Sequence, residues 1–560
     1  MPQQIRTVDP LTPILVGVGT AQHDPGEIVQ PGTTPVDDGI PAGTDRPSPL
    51  DLMELALRDA LHDTGVSATK AWLGEISLVA VTEGNWAYGD PGGELASRVG
   101  IVRAKSVRVD IGVPQHTPIS AALRGIRSGS ISAAVVAGGE AKATQMSMQR
   151  AGLTPLGTVE SDPALAAAVP DERWQPGGEI MAQAEIDVGM WSAVEHYACI
   201  EAALRRAEGQ SVDGQLDAVA DLWHRFNLVA RDNPDAAFGA PRSAEFLRQA
   251  GPGNRPLAFP YAKWHSTQWG VDQAAALLLC SVEVAEQLGV PRDRWLFPRV
   301  ALESSFSLSL TKRANMHRWE AMGVLGDAAA EHLGVPLSEI EHTELYSCFP
   351  SAVRVQQREL GLNDESVPTI MGGMAFAGGP FNNFTYQATA AMAARLRDAT
   401  GDPGGSSGSR ALGLVTTVSG LLTKPALAVW STEPGPLLVD DLGEKAERAT
   451  PKRPVVDTPS ELTAEETDDA TIASLTVTYG PDASGPADRS SQESSASSAS
   501  SDTSWPGAPS AVASSAFVIA DLADGRRWIG RSNDADLLSQ AQRVELIGRK
   551  VNITGTTCRI

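Results

Sequence analysis

Residues 112–141 read Gly112-Val-Pro-Gln-His-Thr-Pro118, then a run that ends Ile126-Arg-Ser-Gly129, then Ala133-Ala-Val-Val-Ala-Gly-Gly-Glu-Ala141. Thr117–Gly129 predicts a helix, and the short apolar run Ala133–Gly139 predicts a buried strand. Working back from this unit, Val107–Ile111 and Ile76–Thr82 are strand candidates. Pro47–Gly65 is a helix candidate, capped by Ser48 ahead of Pro49, with Met53, Leu57 and Leu61 at helical spacing. Pro13–Gly19 reads as a further buried strand running into a loop. Strands alternating with helices in this way build an α/β layer on a parallel or mixed sheet.

Downstream the character changes. Residues 145–260 are helix-rich, with Met181–Ala207 and Val212–Val229 the best candidates, and read as an inserted lobe. The α/β rhythm then resumes with a helix over Asp272–Gln287, which Asp272 would cap, and a strand over Arg299–Ala301. Next come a helix at Ala321–Leu333, a strand at Ile340–Leu345, a helix from Pro350 and the glycine-rich run Gly372–Pro380. A helix at Thr385–Leu396 and strands at Ala411–Thr417 and Ala426–Ser431 complete the order, which suggests an internal duplication.

Beyond Pro434, residues 457–502 hold ten acids against one base, and nine of the eighteen residues 484–501 are serine. Such a stretch cannot bury enough apolar area to offset its ordering entropy, so disorder is expected there. It lies between two β-like runs, Ala470–Tyr479 and Ser514–Leu522, and so reads as an expanded hairpin loop in a small β domain. The expected units are 10–145, 146–262, 263–433 and 434–560, with the Ser-rich loop at about 481–510.

Composition excludes several functions. With 45 basic and 68 acidic residues the formal charge is −23, which repels nucleic acid and anionic lipid. No segment reaches the ~18 apolar residues of a membrane span, and the N-terminus makes a poor signal peptide, so a cytoplasmic protein is expected. Cys199, Cys280, Cys348 and Cys558 are scattered without a CxxC pair, against both disulfides and a metal site.

Two familiar motifs fail on context. Gly17-Val-Gly19 lacks the third glycine and the following helix of a dinucleotide site, although Asp37 and Asp38 stand at about the right distance. Gly404-Gly-Ser-Ser-Gly408 lacks the strand and helix that a nucleophile elbow needs and reads as a loop.

Four phrases in fixed order are more informative: Gly112–Pro118 with its helix and strand, Ser266-Thr-Gln-Trp-Gly-Val-Asp272, Leu345-Tyr-Ser-Cys-Phe349, and Gly372–Pro380 paired with Gly413–Gly420. With them the chain resembles the thiolase superfamily over residues 10–432, in its acetyl-CoA acetyltransferase-like and sterol-carrier-protein-x-like branch. Its best match there is to the type 1 thiolase-like proteins with an added C-terminal β domain.

The resemblance implies an α/β thiolase fold: two related halves layered αβαβα, a helical loop domain and an OB-like barrel at the C-terminus. It also implies coenzyme A or acyl-CoA as ligand, and a monomer or homodimer. The family's nucleophilic Cys falls at Gly112, its first catalytic His or Asn at Tyr346, its second His at Gly379 and its second Cys at Val418. No Cys precedes Cys199 and no His follows His342, so nucleophile and base are both missing.

Substitutes suggested by position are Cys348 as a relocated thiol, His116 as a base and Tyr346 as a proton donor or acceptor, each set against a packing role. Ser266, Thr267 and Gln268 match the phrase that contacts the CoA tail, and the Gly378 and Gly379 amides could hold a thioester carbonyl. Trp86 and Trp269 are candidates for an acyl tunnel wall. Three functions follow: an acyl-CoA acyltransferase-like protein with unconventional chemistry, a non-catalytic acyl-CoA or lipid binder, or a retro-aldolase using Tyr346.

Overall fold

The helix Thr117–Arg127 and the strand that follows it form as their residues predict, and both lie at the centre of the protein. The computed structural model describes residues 8–24, 46–399, 412–457, 462, 469–480 and 512–560. Asp37, Asp38, the Gly404–Gly408 run and the Ser-rich segment 481–510 lie outside the described residues.

Strands β1 (Pro13–His23), β2 (Ile76–Thr82), β3 (Lys105–Val109), β4 (Ala133–Ala141) and β5 (Glu172–Trp174) come first. β6 (Pro256–Ala258) and β7 (Tyr261–Ala262) leave the helical lobe, and β8 (Asp272–Ser281) returns to the first sheet. That sheet has the order β1-β8-β4-β2-β3-β5, with β8 antiparallel to both its neighbours.

β8 corrects the helix expected over Asp272–Gln287. Only Val282–Leu288 is helical, capped by Ser281. All ten residues of β8 are buried, because the strand is flanked by β1 and β4 and covered on both faces. A fully buried strand is apolar without alternation, so periodicity does not separate it from a buried helix. Asp272 still caps a helix, but a different one. Its carboxylate accepts the Thr144 N–H (3.0 Å) and the Thr144 hydroxyl (2.5 Å), closing the first turn of Lys142–Arg150, whose own cap residue is Ala141. His23 Nδ1 lies 3.0 Å from the same carboxylate.

β9 (Phe297–Glu303), β10 (His342–Glu344), β11 (Leu412–Ser419), β12 (Lys424–Ser431) and β13 (Leu438–Asp441) form a second sheet, ordered β10-β11-β12-β9-β13. The helices Thr117–Arg127 and Phe384–Ala399 touch strands of both sheets and fill the layer between them. Pro49–Asp63 covers the outer face of the first sheet and Glu320–Leu333 that of the second, giving five layers.

The glycines of Gly17-Val-Gly19 have a packing explanation. A Cβ on Gly17 would stand 2.2 Å from the Ala60 carbonyl oxygen, and one on Gly19 would stand 2.1 Å from that of Ala56. They let the helix Pro49–Asp63 lie directly on β1. Its capping box is complete, with Ser48 and Asp51 each accepting the other's backbone N–H.

The long helix expected over Met181–Ala207 is broken into Gln183–Asp187 and Ala193–Glu208. Gly189, at φ +77°, ends the first piece, and the Ser192–Glu195 capping box starts the second.

β14 (Thr471–Gly480), β15 (Val512–Asp521), β16 (Arg527–Ser532), β17 (Asn552–Thr554) and β18 (Thr557–Arg559) follow. β14 and β15 pair antiparallel on either side of residues 481–511, as a hairpin would. The third sheet has the order β17-β18-β16-β15-β14-β6-β7, so two strands of the helical lobe complete the C-terminal sheet. Among the described residues no helix is long and apolar enough to cross a membrane, and no group of three His, Cys, Asp or Glu is placed to hold a metal.

Candidate functional site

The sheet architecture brings the four sequence phrases together. Ser419 Oγ, at the end of β11, donates to the Gly112 carbonyl (2.9 Å), which places Val418 and its neighbours beside the loop that precedes Thr117–Arg127. Gln115, in that loop, lies 3.4 Å through Nε2 from the Tyr346 hydroxyl and accepts the Thr385 N–H through Oε1 (2.9 Å). Tyr346 follows the end of β10. Its N–H donates to Thr416 Oγ1 (2.8 Å), and its carbonyl accepts Gln356 Nε2 (2.9 Å). The Tyr346 ring stands edge-on to Phe384 at 5.8 Å.

The second part of the site adjoins Cys348. Thr267 N–H donates to the Cys348 carbonyl (3.1 Å), and Gly379 N–H donates to the Gln268 carbonyl (3.0 Å). The Gly379 amide is therefore already committed within the protein. Ser266 Oγ and Gln268 Nε2 both donate to the Lys263 carbonyl, at 2.9 and 2.8 Å, so these side chains turn into their own loop.

Gly112 and Gly379, the positions at which the thiolase resemblance leads one to expect a nucleophile and a base, are closely packed. Gly112 has φ +96°, and a Cβ there would stand 3.1 Å from Pro176 Cβ. A Cβ on Gly379 would stand 2.2 Å from Thr267 Cγ2 and 3.1 Å from Met374 Cβ. Pro176 belongs to a strap, residues 176–180, that crosses the site. Lys424 Nζ donates to the Gly177 carbonyl (3.1 Å), Ser307 Oγ donates to the Glu179 carbonyl (2.6 Å), and Lys312 pairs with the Glu179 carboxylate (2.8 Å). Ile180 at its end packs over Gly420.

Burial sets the protonation states. The Cys348 thiol is pushed up to about 12, with a hydrogen bond to Tyr197 opposing the shift, so it is not a thiolate at neutral pH. His116 is pushed down to about 3 by burial, helped by the positive charge of Arg124, so its imidazole is neutral. Its Nε2 is buried without a hydrogen-bond partner. The Tyr346 phenol is raised far above its ordinary value, again by burial, and stays protonated. The site offers hydrogen-bond donors but no anionic nucleophile.

Trp86 and Trp269 stand apart from this centre. Trp86 is buried in the outer core and donates to the Gly139 carbonyl (3.0 Å), while Trp269 lies under the Lys142 ammonium at 4.8 Å. All four cysteines are free. Gln115 and Thr267 are the residues that join the site. Both lie within the quoted phrases, but only their neighbours show what they do: Gln115 bridges two chain segments, and Thr267 fills the space beside a glycine.

No protein-family model and no curated sequence matches the chain. Among solved structures, a monomeric SCP2-thiolase-like protein type 1 from Mycobacterium smegmatis superposes with a TM-score of 0.72 at 23% identity, with 99% of each chain covered. An Ltp2-ChsH2(DUF35) aldolase superposes at 0.49 and 15% identity, covering 75% of this chain and 98% of its own. An acetyl-CoA acetyltransferase from Syntrophomonas wolfei gives the same score and identity, over 75% of this chain and 99% of its own. The fold rests on the first of these and on the two layered α/β sheets around a shared pair of helices: the chain has the thiolase fold.

Proposed function

We propose that the protein binds coenzyme A or an acyl-CoA on a thiolase scaffold and does not carry out thiolysis or Claisen condensation through a Cys–His pair. One observation carries this reading. The four phrases meet at a single place, where Thr267 occupies the space that a base at Gly379 would need and Pro176 crowds a side chain at Gly112, whose φ of +96° already disfavours one. Acyl transfer through a covalent thioester requires both reagents. Binding requires only the scaffold and its donors.

Coenzyme A and short acyl-CoAs are expected to raise the melting temperature by several degrees, since a ligand at a hundred times its dissociation constant adds about 2.7 kcal/mol to the native state. Unchanged melting with both would remove the proposal. Light scattering on the same samples separates monomer from homodimer.

A second reading keeps catalysis. The protonated Tyr346 hydroxyl beside Gln115 is the donor that a retro-aldol cleavage of a 3-hydroxyacyl-CoA would use to polarise the thioester carbonyl, with the 3-hydroxyl proton passing to solvent and a proton returning to C2 of the enolate. In that case Tyr346→Phe abolishes cleavage while leaving the coenzyme A thermal shift in place.

A further inference from the structure

The first sheet aligns three polar side chains in one row. β4 sets Glu140 directly opposite Gln273, and β1 sets Gln22 opposite Gln273 on the other side. Paired residues of an antiparallel ladder share a face, with Cβ atoms about 5 Å apart. Gln273 Nε2 donates to Gln22 Oε1 (2.8 Å) and to the Ala377 carbonyl (3.0 Å). A carbonyl can only accept, so the amide cannot be flipped and its Oε1 must look elsewhere for a donor. Among the described residues it has none.

Glu140 has the matching defect. Its Oε1 accepts the Asn85 N–H (2.8 Å), but its Oε2 is buried without a partner. The two acceptors belong to directly opposed residues of the ladder, and neither has a hydrogen-bond partner among the described residues. A single shared proton satisfies both, and the buried Asn85 Nδ2, itself without a partner among those residues, is the competing donor to Glu140. We propose that Glu140 is a carboxylic acid in the folded protein and that its Oε2–H donates to Gln273 Oε1.

The groups facing Glu140 are accounted for. Lys142, on the helix Lys142–Arg150, and the Asn85 amide favour the carboxylate, whereas Asp272 on β8 disfavours it. Glu83, on the same loop as Asn85, is held by Arg108. Asn383 and Tyr386, at the start of the helix Phe384–Ala399, pack beside Gly138 on the same face of β4, and both are neutral. Burial outweighs all of these and raises the carboxyl to about 7.

The effect of this proton reaches the candidate site through the position of Gln273. The Gln273 amide holds the Ala377 carbonyl, and a Cβ on Gly378, at φ +98°, would stand 2.6 Å from Gln273 Oε1. The turn at Gly378 thus rests on this amide, and Gly379 follows against Thr267. Glu140 is a positioning residue for that turn. Its ionisation sets two acceptors against each other and loosens the Gln273 amide from Ala377.

The test compares wild type with Glu140→Gln, which keeps a donor in the same place. The folded wild type holds a proton that the unfolded chain releases, so its folding constant should fall about tenfold more per pH unit than the variant's between pH 4.5 and about 7. In protein carrying carbon-13 glutamate, the infrared band of a protonated carboxyl should be present below about pH 7 and diminish in the variant. After correction for the base catalysis of exchange itself, protection of the Gly379 amide, which donates to the Gln268 carbonyl, should fall above that pH in wild type only. Equal pH slopes, an unchanged carboxyl band, or a variant that does not fold would each overturn the assignment.

Discussion

A chain ending at Val456 is expected to lose cooperative folding and appear in the insoluble fraction. β14 lies between β15 and β6, so its loss strips a neighbour from the helical lobe as well as from its own sheet. Ser474 Oγ donates to the Cys199 carbonyl (2.7 Å) inside the helix Ala193–Glu208, and Thr476 Oγ1 donates to the Phe259 carbonyl (2.8 Å). Buried Arg205 reaches the Glu545 carboxylate through two nitrogens, at 2.9 and 3.1 Å, and truncation would leave that guanidinium without its charge partner. Arg531 Nε donates to the Val188 carbonyl (2.7 Å), and Arg527 caps the carbonyl of Arg313.

Apolar burial points the same way. Phe517, Ile519 and Ile529 belong to the main core rather than to a separate one. At about 1.5–3 kcal/mol for each large side chain, losing a few of them matches the whole net stability of a typical domain, about 5–15 kcal/mol. Soluble yield and calorimetry of residues 1–456 against the full chain measure this. A sharp transition near that of the intact protein would refute it.

Placing a Cys at Gly112 and a His at Gly379, as the thiolase resemblance suggests, is expected to damage the protein without conferring thiolysis. In Gly379→His, the Cβ alone would stand 2.2 Å from Thr267 Cγ2, before any imidazole atom is placed. Overpacking of a filled core costs about 1–3 kcal/mol, and this contact is more severe than a single added methylene. In Gly112→Cys, a side chain is imposed at φ +96°, against about 1–3 kcal/mol of backbone strain, and it meets Pro176. The double variant should melt well below wild type and show no thiolysis of acetoacetyl-CoA. Adding Thr267→Gly to Gly379→His should recover part of the lost melting temperature, because it removes the methyl in contact. Thiolysis by the double variant at undiminished stability would mean that the pocket is open and that only side chains were lost.

Much of this was legible in the residues. Ile76–Thr82 and Ala133–Gly139 announce strands because a short apolar run bounded by turns suits a buried sheet, and both formed. Asp272–Ser281 reads as a helix for the same physical reason: a strand buried on both faces shows no alternation. Its assignment depends on β1 and β4, which are distant in the chain. That no Cys precedes Cys199 and no His follows His342 is plain in the sequence. The close packing of Pro176 and Thr267 against Gly112 and Gly379 could not be read there, since neither contact has a sequence signature. Nor does a row such as Gln22–Gln273–Glu140, which exists only once three strands have found their register.

The β14–β15 hairpin bears on engineering. Gly480 and Val512 are ladder partners, so the ends of the segment between them are already held at strand spacing by the fold. Loop closure then depends only logarithmically on length, at about 0.6 kcal/mol for each doubling. With the disorder expected from the Ser-rich sequence, halving residues 481–511, or doubling them with a flexible affinity tag, should therefore move stability by no more than that. The hairpin is a port through which the protein can be labelled or shortened while its layered core is left untouched.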